Sequence, residues 1–289
     1  MRSKLPPWFR KKIPAPGVVA SMRTLVSGLG LNTICESALC PNMGDCFSQK
    51  TATFLLLGDT CTRNCTFCAV NKGIPAPVDE REPKHLAEAV AQLGLRHVVI
   101  TSVTRDDLPD GGAAHFARTI ALLRAEDPTI TIEVLVPDFA GRPESVRAVV
   151  DAGPDVVNHN LETVRRLYPE VRPLADYQKS LELLQQTKEL DSRIVTKSGV
   201  MVGLGETKDE MLQMMADLRE VNCDLLTVGQ YLQPSVRHHP VVSYVPPDEF
   251  QDYEGIGRDM GFCGVASAPL VRSSFEAAHL YERVAAEAK

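Results

Sequence analysis

Cys61, Cys65 and Cys68 stand in a C-x3-C-x2-C pattern directly after the apolar run Thr53–Leu57 and the turn Gly58-Asp59. A strand that ends in such a turn delivers the three thiols to one end of its sheet. Three thiolates hold three irons of a [4Fe–4S] cube and leave the fourth iron open. An open position is what a catalytic metal site requires, and an amino acid ligand could chelate it through its amine and carboxylate. A structural zinc site normally wants four ligands, often as C-x2-C pairs, and no second pair lies nearby.

Cys35, Cys40 and Cys46 form a second triad, C-x4-C-x5-C. Its intervals match neither zinc-finger pairs nor the common ferredoxin run. One iron is again open unless another part of the chain supplies a ligand. Cys223 and Cys263 are candidates on chemistry alone, although an isolated cysteine in an apolar setting is usually a small buried residue. Six of the eight cysteines fall between Cys35 and Cys68 in a chain of 289 residues. A secreted disulfide scaffold would be shorter and would carry a signal. Clustered thiols in a reducing compartment point to metal.

The formal charge of −6 gives no general reason to expect nucleic acid. No stretch approaches the roughly 20 apolar residues of a membrane span. Met1 to Pro16 is basic and carries four prolines, without the apolar segment of a secretory signal. The expectation is a cytoplasmic protein with neither nucleic acid nor membrane as partner.

Three segments must position the thiols. Residues 1–50 are rich in Pro, Cys, Asn and Gly and form an extension carrying the second triad, with one short helix over Thr24–Leu31. Residues 51–260 alternate strands with helices. Apolar or β-branched runs occur at Thr53–Leu57, His97–Val103, Thr129–Val136, Asp155–Val157, Ile194–Val202 and Leu225–Val228. Between them, Leu86, Val90 and Leu93 repeat at helical spacing, as do Phe116, Ile120 and Leu123. Val146, Val149 and Val150 follow, then Leu181, Leu183 and Leu184, then Met211, Met214, Met215 and Leu218, all read as helix core. Helices start near Leu174–Asp176, Gly205–Thr207 and Pro247. Six strand–helix units imply a parallel sheet with right-handed crossovers. That is short of the eight strands of a closed barrel, so the fold is α/β, a partial (β/α)6 TIM-like barrel with N-terminal and C-terminal extensions. Chemistry in such folds sits at the C-terminal ends of the strands. Residues 261–289 add a short strand or loop and a final helix.

The first triad resembles the cluster loop of the radical S-adenosylmethionine (SAM) superfamily, and the two triads together resemble lipoyl synthase. The sequence from Ala266 to Phe275 is similar to that family's Arg-Ser-Ser-Tyr element, in which the second serine ligates the auxiliary cluster. By position that serine is Ser274. Phe275 stands in place of the tyrosine, and Ala268 stands where glycine is typical. Further matches include Thr101–Leu108, Asp110–Ala113, Asn158–Val164, Val171-Arg172-Pro173, Thr196–Gly199, Gly203–Glu206 and Gln230–Pro234, so the resemblance spans roughly residues 5–285.

The resemblance implies two [4Fe–4S] clusters and S-adenosyl-L-methionine. Cys61, Cys65 and Cys68 would hold the radical-generating cluster, with Phe67 beside it. Cys35, Cys40, Cys46 and Ser274 would hold the auxiliary one. The implied reaction inserts sulfur at C6 and C8 of an octanoyl chain on a lysine of a carrier protein, with the auxiliary cluster as sulfur donor. The carrier would be of the lipoyl-domain or glycine cleavage H protein type. A ferredoxin- or flavodoxin-type reductant and an iron–sulfur carrier complete the implied partners. A serine oxygen is a harder ligand than thiolate, so Ser274 should detach more readily.

Other polar residues follow the strands. Asn160 and Glu162 follow the fourth, Lys197 lies within the fifth, Glu206 follows it, and Arg272 precedes the serine pair. These are candidates for binding SAM or substrate, with structural hydrogen bonding as the alternative. Gly203 and Gly205 serve either a close backbone approach or a turn. His159 is divided between a pocket role and a structural one, His238 and His239 are expected at the surface, and Trp8 is expected to anchor the N-terminal arm. Rival readings are another sulfur-inserting radical enzyme of the biotin synthase kind, a non-catalytic electron carrier, and a zinc-stabilised binding protein.

Overall fold

A computed structural model describes residues 5–10, 16–48 and 52–287. Its strands are β1 (Asn32–Thr33), β2 (Thr53–Leu56), β3 (Thr60–Cys61), β4 (Asn71–Lys72), β5 (His97–Ser102), β6 (Thr131–Leu135), β7 (Val156–Asn158), β8 (Val195–Val202), β9 (Leu225–Gln230) and β10 (Gly264–Ser267). Eight of them form one sheet in the order β1-β2-β5-β6-β7-β8-β9-β10. Every pairing is parallel except β1 with β2. Among the described residues β1 and β10 do not pair with each other, so the barrel stays open along one seam. The six apolar runs are the six strands from β2 to β9 of this sheet. A seventh parallel strand, β10, comes from the C-terminal segment and pairs with β9 from Gly264 opposite Leu225 to Ser267 opposite Val228.

Helices cover the outer face because each carries an apolar stripe that must be buried. Leu86, Phe116, Ile120, Val149, Leu184, Met214 and Phe250 pack against the strands in one continuous core. The helix Tyr177–Leu190 starts where the Asp176 side chain accepts from the Lys179 N–H, and Lys208–Glu220 starts with a capping box between Thr207 and Glu210. The helix at Pro247 begins as the sequence indicates.

Two details of the N-terminal segment differ from expectation. Its helix runs over Pro16–Gly28 and not over Thr24–Leu31. Gly30 takes φ of +67° and the Leu31 N–H turns back to the Val26 carbonyl, which closes the helix before Leu31. The anchor of the arm is Phe9 and not Trp8. Phe9 is buried with its ring 5.7 Å from that of Tyr244, whereas Trp8 is exposed.

Near the N-terminal ends of the strands the barrel holds a buried ion pair. Lys197 Nζ donates to both Glu133 oxygens, at 2.9 and 3.2 Å, and Asn158 Nδ2 donates to the same carboxylate. Burial alone would raise the Glu133 carboxyl, but the charge and hydrogen bonds of Lys197, with His97 nearby, hold it at about 2. Removing one partner of a buried pair leaves the other charge uncompensated, at ~3–5 kcal/mol. Lys197→Met should therefore lower unfolding stability at pH 7 by about that amount. Urea denaturation checks this, and a loss below about 1 kcal/mol would mean that the pair carries no such weight.

Candidate functional site

β3 and β4 pair with each other as a two-stranded ribbon that brackets the loop from Cys61 to Cys68. The ribbon holds the loop's ends, since Gly73 N–H donates to Cys61 O and Lys72 Nζ donates to Cys65 O. The loop's middle is held by distant segments. Thr66 N–H donates to Val171 O, and Thr62 N–H donates to Thr104 O. His238 Nε2 donates to Cys68 O, and His239 N–H donates to Thr66 O. His239 is buried, contrary to the surface position expected for it, because its ring donates to Leu204 O while its backbone holds the cluster loop.

Arg63, inside the first triad, does most to fix the loop. Its guanidinium donates to Asp106 at 2.8 and 2.9 Å and to Asp138 at 2.6 Å twice. Both pairs are bidentate, the geometry that gives Arg–carboxylate contacts their specificity. Burial would raise the Asp138 carboxyl, but Arg63 holds it at about 2. Asp106 follows β5 and Asp138 follows β6, so one side chain ties the thiol loop to two strand ends. Neither Arg63 nor Asp138 is among the site candidates read from the sequence. A cation between two cysteines of a triad was the available signal.

The strand ends face a cavity of about 530 Å³. Cys61, Cys65 and Cys68 line it together with Cys35, Cys40 and Ser274. Cys46 lies outside the lining, on the flanking helix Met43–Ser48. No disulfide joins any of the eight cysteines. Burial pushes the Cys35 thiol up to about 11 and the Cys68 thiol up to about 12, and it raises Cys65 as well. Metal binding to such thiols releases protons. Phe67, Asn160, Glu162 and Arg272 also face the cavity. Lys197 and Glu206 do not. Lys197 is taken up by Glu133, and the Glu206 carboxylate accepts from the Gly203 and Leu204 N–H groups, holding the turn after β8. Cys223 is a buried residue whose thiol donates to Leu225 O, as an isolated cysteine usually is.

At the end of β7 the backbone bends sharply. Glu162 has φ of +67°, a left-handed conformation that costs a non-glycine residue of order 1 kcal/mol or more. Its N–H and C=O still join β8, through Gly199 O and Met201 N–H, so the ladder fixes the bend. Asn160 Nδ2 donates to Glu162 Oε1 at 3.0 Å. Arg172 Nη1 donates to Asn160 O and Leu161 O, bracing the same bend from beneath. Desolvation raises the Glu162 carboxyl, opposed first by the Arg172 charge.

His159 is buried with Nδ1 at 2.8 Å from Val136 O. A carbonyl only accepts, so Nδ1 carries the proton. Burial, then the Arg172 charge, lowers the imidazole from 6.5 to about 4, so it is neutral near pH 7. Nε2 is therefore a lone-pair acceptor. It has no protein partner and belongs to a side chain that lines the cavity.

The serine loop enters the barrel over two glycines. A Cβ on Gly199 of β8 would come within 2.7 Å of Asn160 Oδ1 and 2.8 Å of Thr227 Oγ1, and closer still to Ser273 Oγ. A Cβ on Gly229 of β9 would collide with the Val271 carbonyl and reach 3.2 Å from Arg272 Nη1. These strand glycines mark a close approach of backbone. Asn42, between Cys40 and Cys46, donates from Nδ2 to Leu270 O at 2.7 Å and so joins the second thiol segment to the serine loop. Desolvation draws the Arg272 guanidinium below its ordinary value, opposed by the neighbouring Cys40 and Glu162. The residues fit two iron–sulfur cubes. Undisulfided thiols of both sets, Cys61, Cys65 and Cys68 with Cys35 and Cys40, line one space together with Ser274 and with His159, whose Nε2 has no protein partner.

Comparison with known proteins agrees with this geometry. The radical SAM superfamily pattern matches residues 55–218. The chain is 57% identical over 277 residues to a lipoyl synthase of Caldanaerobacter subterraneus subsp. tengcongensis, covering 96% of this chain and 97% of the relative. It is 55% identical to a lipoyl synthase of Caldicellulosiruptor bescii, covering 95% and 94%. Among solved structures, HydG, a maturase of the [FeFe]-hydrogenase, superposes with a TM-score of 0.57 at 16% identity over 88% of this chain and 57% of that one. Streptococcus suis SuiB bound to S-adenosylmethionine superposes with a TM-score of 0.54 at 10% identity, over 75% and 49%. These two likenesses concern the fold alone.

The neutral His159 has a consequence for stability. An unfolded chain takes up a proton on this ring below pH 6.5, while the folded chain resists until about 4. Stability therefore falls as pH drops through that window, by ~3 kcal/mol in all. His159→Gln should flatten this fall, as seen in urea unfolding at pH 7 and at pH 4.5. An unchanged pH slope would show that the ring titrates freely.

Proposed function

Because the chain belongs to the lipoyl synthase family of the radical SAM superfamily, we propose that it inserts sulfur at C6 and C8 of an octanoyl chain carried on a protein lysine, making the lipoyl cofactor. The observation that carries this reading is one cavity walled by Cys61, Cys65 and Cys68 and also by Cys35, Cys40 and Ser274. When bound, the two [4Fe–4S] clusters supply reductive cleavage of S-adenosylmethionine to a hydrogen-abstracting radical, and the sulfide for the new C–S bonds.

In this reading Cys61, Cys65 and Cys68 hold the radical-generating cluster, and Cys35, Cys40, Cys46 and Ser274 hold the auxiliary one. Residues 1–50 bring the auxiliary thiols, residues 51–260 form the radical-generating barrel, and residues 261–289 bring the serine and the final helix. Phe67, Asn160, Glu162 and Arg272 contact S-adenosylmethionine or substrate. His159 Nε2 accepts a hydrogen bond from a ligand donor. Lys197 and Glu206 have structural roles. Leu55, Val103, Leu135, Val136, Val200 and Met201 give the cavity an apolar wall, which suits an acyl chain and keeps water from a reactive carbon centre.

The substrate is an octanoylated carrier protein of the lipoyl-domain or glycine cleavage H protein type. Electrons come from a ferredoxin- or flavodoxin-type reductant, and an iron–sulfur carrier restores the auxiliary cluster. Among the described residues no helix is long and apolar enough to cross a membrane, and we place the protein in the cytoplasm.

Anaerobic reconstitution should give about eight irons per chain, from two four-iron clusters. Cys40→Ala should keep about four. It should still release 5′-deoxyadenosine on reduction with S-adenosylmethionine, but should give an octanoyl-lysyl peptide no sulfur. Sulfur in that peptide's product would overturn the assignment of the second triad.

A further inference from the structure

Ser273, the neighbour of the proposed ligand Ser274, makes a contact of its own. Its Oγ lies 2.8 Å from Asn160 Oδ1, across 113 residues of sequence. The direction of this bond is fixed by the one beside it. Asn160 uses Nδ2 to donate to the Glu162 carboxylate, which only accepts, so its Oδ1 is left to receive the Ser273 hydroxyl proton. Turning the amide over would break the bond to the Glu162 carboxylate, so that bond sets which amide atom meets Ser273. Gly199 makes room for the arrangement, since a side chain there would displace Ser273 Oγ and Asn160 Oδ1 together.

The two serines also move as a unit. Phe275 N–H donates to Arg272 O at 3.0 Å, which makes Ser273 and Ser274 the two central residues of one tight turn. Whatever holds Ser273 therefore holds Ser274. A continuous hydrogen-bonded path runs from Glu162, through Asn160 and Ser273, to the turn that carries Ser274 in the cavity wall.

We propose that Ser273 is a positioning residue that makes the hold on Ser274 depend on whether S-adenosylmethionine occupies the Asn160–Glu162 end of the path. This rests on the assignment of Ser274 and of the two clusters given above. A ligand donor that engages the Glu162 carboxylate competes with Asn160 Nδ2. The amide is then freed from its anchor on Glu162, and the bond to Ser273 loses its fixed geometry. The auxiliary site loosens only when the radical source is in place, so sulfide is not released to no purpose.

The test uses the reconstituted two-cluster enzyme without reductant, and it follows the loss of iron to a chelator with and without S-adenosylmethionine. In the wild-type chain S-adenosylmethionine should speed auxiliary iron loss about fivefold, the effect of one neutral hydrogen bond. Ser273→Ala should be fast from the start and indifferent to S-adenosylmethionine. Asn160→Asp keeps an acceptor for Ser273 but cannot donate to Glu162, so it should stay slow and lose the response. The electron paramagnetic resonance signal of the reduced first cluster reports that each variant is folded. Iron loss from Ser273→Ala at the wild-type rate and with the wild-type response overturns the proposal, as does a wild-type rate unmoved by S-adenosylmethionine. A wild-type chain that takes up only one four-iron cluster defeats the underlying assignment instead. Should Ser273→Ala not fold, the response of Asn160→Asp decides: a retained response sinks the idea.

Discussion

The fork between Arg63 and its two aspartates is the constraint on which the site depends. A loop carrying three thiols has little apolar surface to bury, and among the described residues no helix runs from Cys61 to Cys68. Its shape has to come from polar contacts. Arg63 supplies four short ones and spans the ends of β5 and β6. An exposed ion pair would contribute little. Here the guanidinium and Asp138 are both buried, so the pair is screened weakly and its geometry is enforced. The loop takes its position from the parallel sheet.

Around that loop, several strand ends depart from regular backbone. Leu57 after β2, Phe139 and Ala140 after β6, and Glu162 after β7 all take positive φ without being glycine. Such conformations persist only where the surroundings over-determine them. Leu57 N–H is received by the buried Glu82, and the Ala140 N–H is received by Asp138. The bends therefore form a ring of fixed loops at the same end of the barrel as the thiols, which holds the side chains of the cavity in place.

The sequence made the fold legible because each parallel strand is a short apolar run and each helix carries a regular stripe. β10 was harder to read, since Gly264–Ser267 has only two fully buried residues and no apolar run. The thiols and Ser274 could be named from spacing and resemblance. Lys197 stays divided between a ligand contact and a structural bond when read from sequence, because its place in a strand does not reveal that Glu133 lies on the next strand but one in the sheet. Gly229 and Asn42 were invisible for a related reason. Their importance lies in what approaches them from the far end of the chain, which no local pattern encodes. His239 looked exposed because it adjoins a proline and a second histidine, yet it is held inside by the cluster loop itself.

The bond from Asn42 to Leu270 joins positions 228 residues apart. It sets an order of events during synthesis. The N-terminal thiol segment leaves the ribosome early and must wait for almost the whole chain before its carbonyl partner exists. Contacts of such long separation are the slow ones in folding. The N-terminal triad and the serine turn therefore meet only in a chain that is already almost fully made.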